Sequence, residues 1–193
     1  MRTRTTITAI AAIATLALTG CGPEPEVSTK PDAKAPAADT KAPAAKATKE
    51  APKKETAVVG DSLTLKGNSD GEQLSVTLKK WVDPAKSADE FMKPAQGKRW
   101  VAVQFELLNT GSAIYDDSPS NGVQVADVDG QRFSATFGEV TAGPSMASGV
   151  KLPKGEKALG WIVVEVPKAS KIASVQFTMN SGFSNQTGQW SVK

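Results

Sequence analysis

The sequence predicts an all-β domain, an antiparallel immunoglobulin-like β-sandwich, carried behind a cleaved signal peptide and a disordered linker. Three observations carry this reading. Apolar residues beyond Ala57 recur with a period of two, turn-forming residues separate the runs, and no stretch shows a helical apolar stripe of useful length. The chain divides into a leader over 1–20, a linker over 21–56 and a globular part over 57–193.

The leader comes first. Arg2 and Arg4 form a positive n-region, Ile7 to Leu18 an apolar core, and the small residues Thr19 and Gly20 precede Cys21. The run is shorter than the roughly 20 apolar residues that a bilayer-spanning helix needs. Leu18-Thr19-Gly20-Cys21 resembles the lipobox of bacterial lipoproteins. That resemblance implies a diacylglyceryl group on the Cys21 thiol and cleavage between Gly20 and Cys21, which leaves the lipidated cysteine as the mature N-terminus. A thiolate is the side-chain nucleophile suited to such an alkylation. Two acyl chains satisfy the two-signal requirement for stable anchoring. The expected location is the extracytoplasmic face of the cell membrane, with Cys21 as the contact to lipid.

Between Gly22 and Thr56, apolar residues larger than alanine are absent except Val27, and six of the chain's twelve prolines fall there. Such a segment cannot bury enough apolar area to offset chain entropy, and its prolines bias it toward extended conformers. At roughly 3.1 Å per residue, about 35 residues reach on the order of 110 Å when extended.

In the globular part, Val101, Val103, Phe105 and Leu107 point to one face of a strand while Gln104 and Glu106 point to the other. Leu74–Leu78 and Val175–Met179 alternate in the same way. Gly160–Val166 is more continuously apolar, as expected of a central strand covered on both faces. Asp83–Lys93 offers one short helical turn at most. Asp129-Gly130, between Val123–Val125 and Arg132–Ser134, signals a hairpin of the two-residue type I′ kind. Asn109-Thr110-Gly111 and Pro153-Lys154-Gly155 mark further turns.

Removing Arg2 and Arg4 with the leader lowers the formal net charge from +3 to +1. No Lys/Arg cluster stands out in the globular part, so nucleic acid is not an expected partner. Histidine is absent and Cys21 is the sole cysteine. Ser-His-Asp and Cys-His machinery, His/Cys zinc sites and structural disulfides are therefore excluded, and the domain must be held by its core. No cofactor is expected, and the chain is read as a monomer.

Candidate sites are few. Asp116-Asp117 and Asp127-Val128-Asp129-Gly130 bring carboxylates together on turns, where they could ligate calcium, although the Asp-x-Asp-x-Asp-Gly spacing is not met. Asp129 equally suits a hairpin turn, and Asp117-Ser118 a turn before Pro119. A carboxylate pair drawn from Asp116, Asp127 and Glu139 could in principle serve a hydrolase, whose chemistry depends on a separation that sequence does not measure. Among aromatics, Trp100, Trp161 and Trp190 are expected to pack in the sandwich, and Phe183, in a Gly/Ser-rich loop, to be exposed. Thr141–Gly149 reads as a flexible loop with Met146 at an apolar tip, so that Phe183 and Met146 are candidate ligand contacts.

Gly97-Lys98-Arg99-Trp100-Val101-Ala102-Val103-Gln104-Phe105, Leu108-Asn109-Thr110-Gly111-Ser112, Pro153-Lys154-Gly155-Glu156, Gly160-Trp161, Val166-Pro167 and Gly188-Gln189-Trp190 together resemble a family of exported bacterial lipoproteins known as domain of unknown function 4352. The resemblance covers most of the chain from about Gly60 to Trp190. It implies an immunoglobulin-like sandwich similar to small secreted actinobacterial antigens, and it implies no activity. The function expected is non-catalytic binding of a protein or cell-envelope component, against a carboxylate-dependent or calcium-assisted hydrolase and a passive surface or stress protein.

Overall fold

The computed structural model describes residues 56–193; the leader, Cys21 and the linker up to residue 55 lie outside the described residues. Strands β1 (Ala57–Val58), β2 (Ser62–Lys66), β3 (Gln73–Ala85), β4 (Lys98–Asn109), β5 (Tyr115–Asp117), β6 (Val123–Asp127), β7 (Arg132–Thr136), β8 (Val150–Leu152), β9 (Lys157–Pro167), β10 (Ile172–Thr178) and β11 (Thr187–Ser191) are joined by turns and two short 3₁₀ turns, Pro119–Gly122 and Asn180–Gly182. Asp83–Lys93 holds no helical turn: β3 runs on to Ala85 and a loop follows.

The strands form two layers. One has the order β1-β11-β10-β6-β7 and the other β7-β9-β4-β3-β2, so β7 belongs to both. Its first half, Arg132–Ser134, pairs with β6, and Ala135 and Thr136 then pair with β9. Pairing is antiparallel throughout the two layers except between β1 and β11, which are parallel. The small β5–β8 pair lies apart from both layers and adds Tyr115, Val150 and Leu152 to the core.

Period two decides what lies between the layers. Val101, Val103, Phe105 and Leu107 of β4 face inward with Ile162 and Val164 of β9, against Val123, Val125, Val175 and Phe177 of the opposite layer. Phe105 meets Phe177 and Trp190 at centroid distances of 5.3 and 5.5 Å, the latter edge-on, which joins the layers through three fully buried rings. The Trp190 indole N–H donates to the Asp61 carbonyl (3.0 Å) and so is satisfied where it is buried.

β9 is covered on both faces, as its continuous apolar run predicts. Its outward residues Trp161 and Val163 form a second cluster with Trp100, Ala102, Ala85 and Val140. Trp190 therefore packs inside the sandwich as expected, whereas Trp100 and Trp161 are buried on the outer face of the β9–β4 layer. The Thr141–Gly149 segment is not a loose loop. Met146 N donates to the Trp161 carbonyl (2.8 Å) and Trp161 N to the Pro144 carbonyl (2.9 Å), which stitches the segment along β9. Gly160 permits this approach, because a methyl group there would overlap the Met146 backbone.

Candidate functional site

At the end of β3 the chain leaves the layer at Ala85, loops out and returns at Lys98. The Ser87 hydroxyl accepts from the Asp89 amide (3.0 Å) and donates to the Met92 carbonyl (2.6 Å). One Asp89 carboxylate oxygen takes the Phe91 amide at 2.6 Å and the Met92 amide at 3.3 Å. Asp and Ser favour such local closure, since a short polar side chain can cap its own turn. The closure turns the Phe91 side chain outward, where it is 89% exposed. Further hydrogen bonds, Ala88 N to Glu139 O (2.9 Å) and Thr141 N to Lys86 O (3.0 Å), fix the loop's base against the outer cluster.

Between this loop and the β9–β10 turn lies a cleft of about 760 Å³, lined by Lys86, Lys93, Lys98, Arg99 and Lys168 among others, with Asp89 and Glu90 as the acidic residues of its lining. Arg99 is structural. Its guanidinium forks onto Asp83 at 2.7 and 2.8 Å and donates to the carbonyls of Pro167 (2.6 Å) and Ser170 (2.9 Å), which fixes the turn that carries Lys168. The Asp83 hydrogen bond raises the Arg99 pKa above its ordinary value. Lys98 pairs with Glu165 at 2.9 Å. The Ala95 amide, bonded to Glu165 at 3.0 Å, and then Lys98 hold that carboxyl below its ordinary pKa. Lys86, Lys93 and Lys168 have no ion-pair partner among the described residues.

The carboxylates that sequence offered are dispersed. Asp116 is exposed and paired with Lys151 at 2.9 Å. Its neighbour Asp117 accepts from the Ser118 amide (2.7 Å) and from the Ser181 amide and hydroxyl (2.9 and 2.6 Å), tying β5 to the left-handed Asn180–Ser181 turn. Burial first, and the adjoining Asp117 second, push the Tyr115 phenol far above its ordinary pKa. Asp127 is buried, and one of its oxygens takes the amides of Asp129 (3.0 Å) and Gln131 (2.9 Å). Asp129 is exposed at the tip of the same hairpin, and Glu139 is exposed on another segment. The hairpin is present, but not as type I′: Gly130 alone takes positive φ (85°), and Gly130 N donates to Asp127 O, a four-residue turn over Asp127–Gly130 that ends on a left-handed glycine. No group of three or more Asp, Glu, Cys or His among the described residues is placed to hold a metal ion.

Phe183 is 81% exposed, as expected, and lies beside the β2–β3 turn, where Asn68 donates to its carbonyl (3.2 Å). That is the opposite end of β3 from the cleft. Met146 departs from expectation: it is 7% exposed and packs in the core, so it is no surface contact. Sequence reasoning passed over the lysine-lined cleft because its members span residues 84–168 and assemble only through strand pairing. It also passed over Phe91 and Phe137, the latter 90% exposed after β7. Cys21 and Gly20 lie outside the described residues.

The family model described as Domain of unknown function (DUF4352) matches residues 67–188, nearly the whole of this sandwich. The chain belongs to the DUF4352 family. Among solved structures, this DUF4352 domain is similar to MPT63, a secreted protein from Mycobacterium tuberculosis, at 18% identity over 73% of this chain and 99% of that one, with a TM-score of 0.49. It is similar to the yjhA protein from Bacillus subtilis at 12% identity over 71% of this chain and 99% of that one, with a TM-score of 0.50. A β-sandwich protein from Clostridium difficile aligns at 11% identity over 77% of this chain and 100% of that one, with a TM-score of 0.43. These likenesses concern the fold. No curated protein matches the chain.

Proposed function

We propose that this DUF4352 protein is a monomeric, lipid-anchored, extracytoplasmic binding protein without catalytic activity, whose lysine-lined cleft takes an anionic, phosphate- or carboxylate-bearing component of the cell envelope. The observation that carries the reading is the set Lys86, Lys93 and Lys168, three lysines without partners on one cleft whose walls are fixed by the Arg99–Asp83 fork and the Lys98–Glu165 pair. A concave site with convergent like charges raises the local concentration of a ligand of opposite charge. The anchor rests on Leu18-Thr19-Gly20-Cys21, and membrane attachment brings the domain to envelope anions. The non-catalytic reading is supported by Asp117 and Asp127, which are committed to backbone amides.

The test uses the full chain carrying Cys21→Ser, so that a lipid anchor does not contribute. Its arms are soluble poly(glycerol phosphate) and vesicles of phosphatidylglycerol or of phosphatidylcholine. Binding to poly(glycerol phosphate) or to phosphatidylglycerol vesicles is expected, weakening with salt as exposed charge pairs do, and falling on the order of tenfold or more in the Lys86→Ala, Lys93→Ala, Lys168→Ala variant. The two anionic arms separate a polymer from a lipid surface as the source. Absence of binding in both, or equal binding by the triple variant, contradicts the proposal.

A further inference from the structure

A second site lies where β7 changes layers, and it goes beyond the anionic reading because it holds no charge. Beyond Ser134, β7 parts from β6 and joins β9, while the chain before β6 folds into the Pro119–Gly122 turn. The divergence leaves a cleft of about 410 Å³ lined by Ser118, Ser120, Asn121, Ser134, Thr136 and Ser148, with Ala135 and Phe137. Its wall is rigid. Pro119 and Gly122 are buried, and a methyl group at Gly122 would overlap the Thr178 carbonyl, so the turn is held against β10.

The lining of this cleft is uncharged and rich in hydroxyls. Here the five hydroxyls and the Asn121 amide have no side-chain hydrogen bond among the described residues, and no ionisable residue lines the cleft. Beside them stands the Phe137 ring, 90% exposed.

We propose that this cleft is a binding site for a neutral carbohydrate. A sugar ring offers an apolar C–H face that can lie on Phe137 and a rim of hydroxyls that both donate and accept, matching Ser, Thr and Asn side chains, which do the same. An ionic ligand would lose hydration there without gaining a charged partner. A peptide added as a strand needs a longer free edge than β7 provides, since only Ala135 and Thr136 have left β6 within the strand.

The experiment is calorimetric titration of the full chain, kept in a detergent without sugar groups, with maltohexaose, cellohexaose, xylohexaose and mannohexaose at millimolar concentration. Binding of at least one is expected, weakened on the order of tenfold by Phe137→Ala and by Ser134→Ala with Asn121→Ala. Phe183→Ala and Lys93→Ala are expected to leave it unchanged. These exposed side chains can be removed without opening the core, so the variants fold. Failure of all four sugars to bind, or binding unaffected by Phe137→Ala, overturns the proposal. None of these outcomes bears on the lysine-lined cleft, whose probes are anionic.

Discussion

Arg99 and Asp83 meet in a two-pronged pair, Nε to Oδ1 at 2.7 Å and Nη2 to Oδ2 at 2.8 Å, and the same guanidinium holds three carbonyls of the β9–β10 turn. Lysine cannot reproduce a planar fork with five donors. Arg99→Lys is therefore expected to cost about 1–3 kcal/mol in a urea titration. It should also weaken anion binding in the cleft, because the turn carrying Lys168 loses its tie. Stability and binding unchanged from wild type would show that the fork is dispensable.

Glu165 carries the acid sensitivity of this end of the sandwich. Its folded pKa is depressed, mainly by the Ala95 amide and then by Lys98. A depressed carboxyl contributes stability that is fully present above its unfolded value, about 4.3, and is lost as pH falls through the folded value. Glu165→Gln should therefore lower the melting temperature at neutral pH and flatten its decline between about pH 5 and pH 3. Parallel melting curves for wild type and variant across that window would contradict the assignment.

Asp127 is buried and accepts two backbone amides across the hairpin. Asp127→Ala strands both donors and is expected to cost about 2–3 kcal/mol, read by chemical denaturation. Because that carboxylate is engaged, millimolar calcium should leave the wild-type melting temperature unchanged. A calcium-dependent rise that disappears in Asp127→Ala and Asp129→Ala would restore these residues as ligands.

Gly160 lets the Thr141–Gly149 segment lie on β9. Gly160→Ala sets a methyl group against the Met146 backbone and is expected to destabilise by about 1–3 kcal/mol or more. Trp161 fluorescence should report the displaced segment, since that indole sits in the covered outer cluster.

These residues also mark where sequence stops informing. The period of two placed Val101 to Leu107 on the inner face, because alternation follows directly from strand geometry. It did not place Trp100 and Trp161: the continuous apolar run of β9 announces cover on both faces, but nothing local to β4 or β9 identifies Val140 and its neighbours as that cover. Met146 looked like a loop tip because a Gly/Pro/Ser-rich setting is read as mobile, while the decisive contact is with Gly160 on β9. Asp129-Gly130 announced a hairpin correctly and its turn type incorrectly, because the dipeptide suits both, and Asp127 selects between them through its carboxylate. The cleft lysines were legible one by one. Their convergence depends on β4 pairing with β9, which brings Lys98 opposite Pro167 and so beside Lys168.

On the proposed reading, this domain is held outside the cytoplasmic membrane by a lipid carried on Cys21. The most direct measurement is the intact mass, with N-terminal peptide mapping, of the protein extracted from its own bacterial membranes. The expected species lacks residues 1–20 and begins at a diacylglyceryl-modified Cys21, and Cys21→Ser abolishes it and releases the protein from the membrane fraction. A wild-type species with an unmodified Cys21 thiol, or a Cys21→Ser protein held in membranes at wild-type levels, would contradict it.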